Sequence, residues 1–154
     1  MKTFLSFITA CLITTAAFAA TSGSPVFQIR LVREAPSGDT EPMTIVSKEK
    51  KEVLNVQKTV LLDESAVKSA GVRTDASGHP QIGITFRDEG GKRFEEITRE
   101  KVGQRLAIII DGRLYCAPII RTEIAGGKAE ISGNFSKAEA NTLAAKIIDA
   151  IKKH

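Results

Sequence analysis

The sequence predicts an α+β fold, a mixed and mostly antiparallel sheet with helices packed on one face. Three observations carry that prediction. Short runs such as "QIGITFR" alternate apolar and polar residues at the period of a half-buried strand. One run, "LAIII" at 106–110, is apolar without a break, as suits a central strand covered on both faces. The stretch after Ser136 joins a capping signal to an apolar stripe at helical spacing, so a helix closes the chain.

The 154 residues open on an address rather than on structure. Lys2 precedes an apolar run from Phe4 to Phe18 that ends in Ala17-Phe18-Ala19, the positive start, short apolar middle and small-residue cleavage site of a secretory signal. Residues 1–19 are therefore expected to be a signal peptide cleaved after Ala19, with Ala20 as the near alternative, and the product is expected in the periplasm. A retained anchor is the rival reading. The run is shorter than the roughly 20 apolar residues a spanning helix needs, and Ser6, Thr9, Thr14 and Thr15 break it. Residues 20–25 read as a short leader and 26–154 as one domain, long enough to bury a core without metal or disulfide staples. Loss of Cys11 with the signal leaves Cys116 alone, so no intramolecular disulfide is expected. A net charge of +4, mixed in sign, with 5% aromatic residues and no Trp, supplies neither a basic face nor stacking platforms, which argues against nucleic-acid binding.

The domain begins with "VFQIRLVRE", a strand with Phe27, Ile29 and Leu31 on its buried side. Residues 35–42, "APSGDTEP", read as a polar loop. Two extended runs, "MTIVS" and "VLNVQKTVLL", flank a charge run at 48–52 that reads as a solvated turn. Asp63 is expected to cap a short helix over 64–70, ended by Gly71. After a turn at 77–80, "QIGITFR" turns Ile82, Ile84 and Phe86 inward. Gly90-Gly91 reads as a turn into a second helix over about 92–102, with Phe94, Ile97 and Val102 inward and Gly103 at its end. The apolar strand follows, and Asp111-Gly112 suits a tight hairpin turn with positive φ. Beyond it Leu114 and Cys116 are expected to face in, Arg113 and Tyr115 out, until Pro118, which lacks a ladder donor, weakens or bends the pairing. Gly126-Gly127 turns the chain into a last strand, "KAEIS". In the final helix Ser136 and Glu139 form the capping box. Its stripe of Ala140, Leu143, Ala144, Ile147, Ile148 and Ile151 reads as core rather than as a membrane-surface face, because Glu139 and Asp149 interrupt the polar side. The sum is about six strands in one sheet.

The segments "ITFRDEGGKRFEEIT" and "GQRLAIIIDGRLYCAPIIRTEIAGGKAEISGNFSKAEANTLA" resemble the head subdomain of the first periplasmic domain of SecD, the bacterial translocase accessory subunit. The residues that carry the likeness are Phe94 and Thr98, Asp111-Gly112, Ala117-Pro118, Ile124 and Gly126-Gly127. It continues through Ile131, Gly133 and Phe135 to Glu139-Ala140, and "FQIRLV" is similar to the strand that opens that subdomain. The resemblance implies the SecD-head fold and a surface that contacts emerging unfolded polypeptide. Cys116 departs from the pattern, standing where a small polar residue such as Ser is expected. In the family the region leads on to membrane helices that couple proton flow to export. Here the chain ends at His154 in a Lys-tipped helix, so no proton-coupled translocase activity of its own is expected.

Catalytic sets are sparse. His79 sits in a Ser-Gly-His-Pro turn without a metal-spaced partner, so neither a metal nor a cofactor is expected. A nucleophile elbow and a phosphate-cradling glycine loop are both missing from the sequence. The leading expectation is a non-enzymatic exported module that binds a polypeptide or an envelope protein at an exposed sheet edge, through Tyr115, Ala117, Pro118, Ile119 and Ile120. In the rival reading Ile119 and Ile120 only pack beneath the sheet. Two alternatives stay open: an accessory subunit docking on a translocase or other envelope complex, and a periplasmic enzyme with Cys116 as nucleophile and His79 as base.

Overall fold

The computed structural model describes residues 23–45 and 51–154; the expected signal peptide, its cleavage site, and Lys48 to Lys50 of the charge run lie outside the described residues. Those residues form nine strands and two helices. The strands are β1 (Phe27–Arg33), β2 (Thr40–Thr44), β3 (Val53–Gln57), β4 (Leu62–Asp63), β5 (Val67–Thr74), β6 (Pro80–Phe86), β7 (Arg105–Ile110), β8 (Arg113–Cys116) and β9 (Lys128–Ser132). The helices are α1 (Asp88–Glu100) and α2 (Lys137–Ile151).

The uninterrupted apolar run becomes β7, and it is covered on both faces. Leu106, Ile108 and Ile110 join a large core with Phe27, Ile29 and Leu31 of β1, whereas Ala107 and Ile109 join a smaller core with Leu54, Val56 and Leu114. The register explains the partition: Phe27, Ile29 and Leu31 stand opposite Ile110, Ile108 and Leu106. Period-two alternation then sends every second residue to the other core.

Two sheets result, where a single one was expected. The first runs β2-β3-β1-β7-β8, with β4 also on β1, and curls until Ile45 meets Leu114 in an isolated parallel bridge. The smaller core fills that curl. The second sheet, β5-β6-β9, lays Ile82, Ile84, Phe86 and Ile131 into the large core, which α1 and α2 complete through Phe94, Ile97, Leu143 and Ile147. All registered strand pairs are antiparallel, and the isolated Ile45–Leu114 bridge supplies the one parallel contact among the described residues.

Local expectations fail where a through-space neighbour decides. Asp63 does cap, its side chain accepting from the Ser65 N–H at 2.9 Å, but only a single 3₁₀ turn over Glu64–Ala66 follows. The chain then enters β5, where Gly71, read as a helix end, lies opposite Gly83. Residues 40–42 of the expected loop belong to β2, in which Pro42 is tolerated because β2 ends the sheet order. Gly90 and Gly91, read as a turn, are buried inside α1. A Cβ on Gly90 would come within 2.6 Å of the Ala66 carbonyl oxygen, and one on Gly91 within 3.0 Å of the Gly127 Cα. Close backbone approach, rather than a bend, is what these glycines supply. The helix thus starts four residues before the expected 92 and stops at Glu100, leaving Val102 at 51% exposure instead of in the core.

β8 carries the second correction. Ile109 pairs with Leu114 but Ile108 pairs with Cys116, so Tyr115 is the extra residue of a bulge. The bulge flips the phase: Leu114 faces the smaller core and Cys116 packs on the large one. Tyr115, expected to face out, is half-buried with its ring 5.7 Å from that of Phe135, and the Arg113 guanidinium lies 5.8 Å over the Tyr115 ring. The turn before it is as expected, with Asp111 at φ 52° and Gly112 at φ 73°. So is the cap of α2, where Ser136 N–H donates to Glu139 Oε2 at 2.8 Å and Glu139 N–H to Ser136 Oγ at 3.2 Å.

Gly90→Ala tests the close approach. Helix propensity alone favours the substitution by about 1 kcal/mol. The backbone contact reverses the sign, and urea denaturation is expected to give a loss of about 1–3 kcal/mol.

Candidate functional site

The two sheets part on one side of the large core and leave a groove of about 790 Å³. Its floor is apolar, made by Ile29 of β1, Leu106 and Ile108 of β7 and Phe94 of α1. One wall is β9 over its whole length. The other is the segment from Cys116 to Arg121, which contains four of the five expected binding residues, and Thr122 and Ile124 form the lip. A second hollow, of about 730 Å³, opens at the β1–β3 end among Arg33, Glu34, Asn55, Gln104 and Arg105, and shares only Ile119 with the groove.

The wall from Ala117 to Ile120 is not a frayed edge. Pairing resumes after Pro118, whose carbonyl accepts from the Leu106 N–H at 3.0 Å. Ile120 N–H donates to Gln104 O, and Gly103 N–H to Ile120 O, both at 2.8 Å. The Arg105 guanidinium caps the Ala117 carbonyl at 2.9 Å. Proline removes one donor but the segment carries on as the partner of β7, so the free edge expected here is already occupied on that side. Its side chains split: Ala117 is in the smaller core, Ile120 is 3% exposed in the large core, and Ile119 is 53% exposed on the rim. Tyr115 does not line the groove.

The lip is tied down by Thr98, which is wholly buried in α1. Its hydroxyl donates to the Phe94 carbonyl at 2.9 Å and accepts from the Ile124 N–H at 2.9 Å. Gly126 and Gly127, at φ 87° and 64°, then turn the chain so that Gly127 O accepts from Phe86 N–H at 2.8 Å and β9 can begin. A mid-helix threonine with an unsatisfied loop donor to serve carries no local signal, and only the resemblance picked it out.

Reactive chemistry has poor footing here. Cys116 lines the groove, but burial pushes its thiol from 9.0 up to about 12, so at neutral pH it is protonated, the reverse of what a nucleophile needs. His79 sits in the β5–β6 turn beside Asp75, at 3.4 Å, with its side chain 74% exposed. Among the described residues no cluster of three His, Cys, Asp or Glu side chains converges to hold a metal ion. No helix among them is long and apolar enough to cross a membrane.

Residues 40–149 match the family model of the SecDF P1 head subdomain. Curated relatives include the protein translocase subunit SecD of Sebaldella termitidis, 49% identical over 84 residues that make up 54% of this chain and 21% of that protein. The subunit SecDF of Thermus thermophilus is 48% identical over 84 residues, 54% of this chain and 11% of its own length. The match thus spans about a fifth or less of these relatives. A crystal structure of SecDF in a super-membrane-facing form superposes with a TM-score of 0.64 at 34% identity, covering 80% of this chain and 18% of that one. A second SecDF structure, described as a membrane component that enhances protein export, gives 0.61 at 32% identity and covers 83% and 62%.

Two outcomes follow from the site. Thr98→Val removes the acceptor for Ile124 N–H and is expected to cost about 1–3 kcal/mol in chemical denaturation. For Cys116 the folded thiol ionises later than the unfolded one, so its contribution is intact below pH 9.0 and is lost as pH rises towards about 12. The stability gap between the parent and Cys116→Ser, followed by denaturation at stepped pH, is expected to narrow only over that alkaline window.

Proposed function

The chain belongs to the SecDF P1 head subdomain family, and from that premise we propose that it is an exported, periplasmic, non-catalytic binding domain whose ligand is a polypeptide in non-native, extended form. It works without proton-coupled translocase activity of its own. The observation that supports this reading most directly is the groove: a cleft of about 790 Å³ between two sheets, with an apolar floor beneath a rim that exposes Pro118, Ile119 and Ile124, and with β9 as one wall. A folded surface meets such a cleft poorly, whereas an unfolded chain has apolar side chains to lower into it. The SecD and SecDF relatives are named as protein translocase subunits, which is consistent with a polypeptide as the ligand.

The exposed rim residue supplies the test, because Ile120→Asp would place a charge in the core and unfold the protein. Ile119→Asp instead changes a side chain that is 53% exposed, so thermal stability is expected to stay within about 0.5 kcal/mol. Calorimetric titration with a reduced, carboxymethylated unfolded protein is expected to show binding by the parent chain and affinity lower by roughly tenfold in Ile119→Asp. Absence of binding by the parent chain sinks the reading.

A further inference from the structure

We propose that β9 is an acceptor edge, to which an extended polypeptide adds as a fourth strand of the second sheet, lowering alternate side chains into the groove. This rests on the polypeptide-binding reading above and assigns where and how the chain is held. Phe86 N–H donates to Gly127 O, and the register continues with Ile84 opposite Ala129 and Ile82 opposite Ile131. In an antiparallel pair the hydrogen-bonded positions alternate, so Ala129 and Ile131 spend their backbone groups on β6. The N–H and C=O groups of Lys128, Glu130 and Ser132 therefore point away from the sheet. β9 ends its sheet order, and none of the described residues supplies a hydrogen bond to those outward groups.

The other sheet ends are guarded. β2 contains Pro42 and its end is bridged to β8, and β5 is broken by a register shift between Val67 and Ser69. β9 is regular along its length and carries neither device. Its edge also borders the apolar floor. A lipid chain or a small apolar molecule in the groove would leave a row of backbone donors and acceptors unmet, whereas an extended peptide presents its own at the matching repeat of about 7 Å.

Charge narrows the ligand further. Arg121 and Lys128 line the groove without an ion-pair partner among the described residues, against a single unpaired carboxylate, Glu130. The occupant is an extended segment with apolar residues at alternate positions and an acidic residue to meet Arg121 or Lys128.

The test uses the whole chain and a synthetic peptide of about seven residues alternating Val with Thr, with Asp at one end. Two further peptides carry N-methyl groups on the odd or on the even residues, which removes one edge's donors and keeps the side chains. The parent peptide is expected to bind and to slow amide exchange at Lys128, Glu130 and Ser132. One of the two methylated peptides is expected to bind roughly tenfold more weakly. Glu130→Pro, which removes an outward donor and spares the β6 ladder, should weaken the parent peptide to a similar degree; if that variant does not fold, the peptide comparison on the unaltered chain decides. Equal affinity for all three peptides, with no slowing at those three amides, overturns strand addition while leaving polypeptide binding in place. If neither the peptides nor the unfolded protein binds, the underlying reading falls instead.

Discussion

The antiparallel pairing of β1 with β7 is the constraint on which the rest of the molecule depends. Both strands must satisfy two cores at once, so both faces of β7 are apolar, and the faces differ in size. Towards the large core it offers Leu106, Ile108 and Ile110; towards the small one only Ala107 and Ile109. Burial at each of the larger side chains contributes about 1.5–3 kcal/mol, enough to hold the pair at the centre of the fold. β1 repeats the arrangement with Phe27, Ile29 and Leu31 on one side. On the other, Arg30 reaches Glu41 Oε1 at 2.6 Å and the Gln28 side chain at 2.7 Å, and this network closes one end of the smaller core.

Polar groups hold the second sheet, the helices and the loops onto that pair. The buried Glu64 carboxylate accepts the backbone N–H groups of Val26 and Phe27 at 3.2 and 3.0 Å, fixing where β1 begins. Thr98 fixes the far end, where the chain leaves Ile120 for β9. Between them the glycines of α1 let the helix sit directly on the Ala66 carbonyl and on Gly127. Among the described residues no buried side-chain nitrogen or oxygen lacks a partner, so these joints bear no unmet desolvation cost. The groove is what remains where the two sheets are tied at their ends but not along their sides. An apolar floor follows from that tying, because Ile29, Leu106 and Ile108 on the large-core face of the central pair line it together with Phe94 of α1.

Much of this was legible in the residues. Strand identity for β1, β6, β7 and β9, the positive-φ turn at Asp111-Gly112 and the capping box of α2 all follow from patterns within a few positions of one another, and the structure repeats them. The likeness to the SecD head rested on ordered residues from Phe94 to Ala140, and the family match covers the same stretch. The apolar segment after Pro118, read as a free binding edge, stands instead as one wall of the groove with its backbone spent on β7.

Local pattern alone determined the strands β1, β6, β7 and β9, where α2 starts and that β7 has no solvent face, because periodicity, capping and turn chemistry act over a single turn or a few residues. Tertiary structure decided what those patterns meet. A one-residue bulge at Tyr115 sent Leu114 and Cys116, expected on one face, to opposite cores, because alternation carries no information about an inserted residue in the ladder. The glycine pair of α1 was read as a turn because its cause, the Ala66 carbonyl and Gly127, is distant along the chain and near only in space.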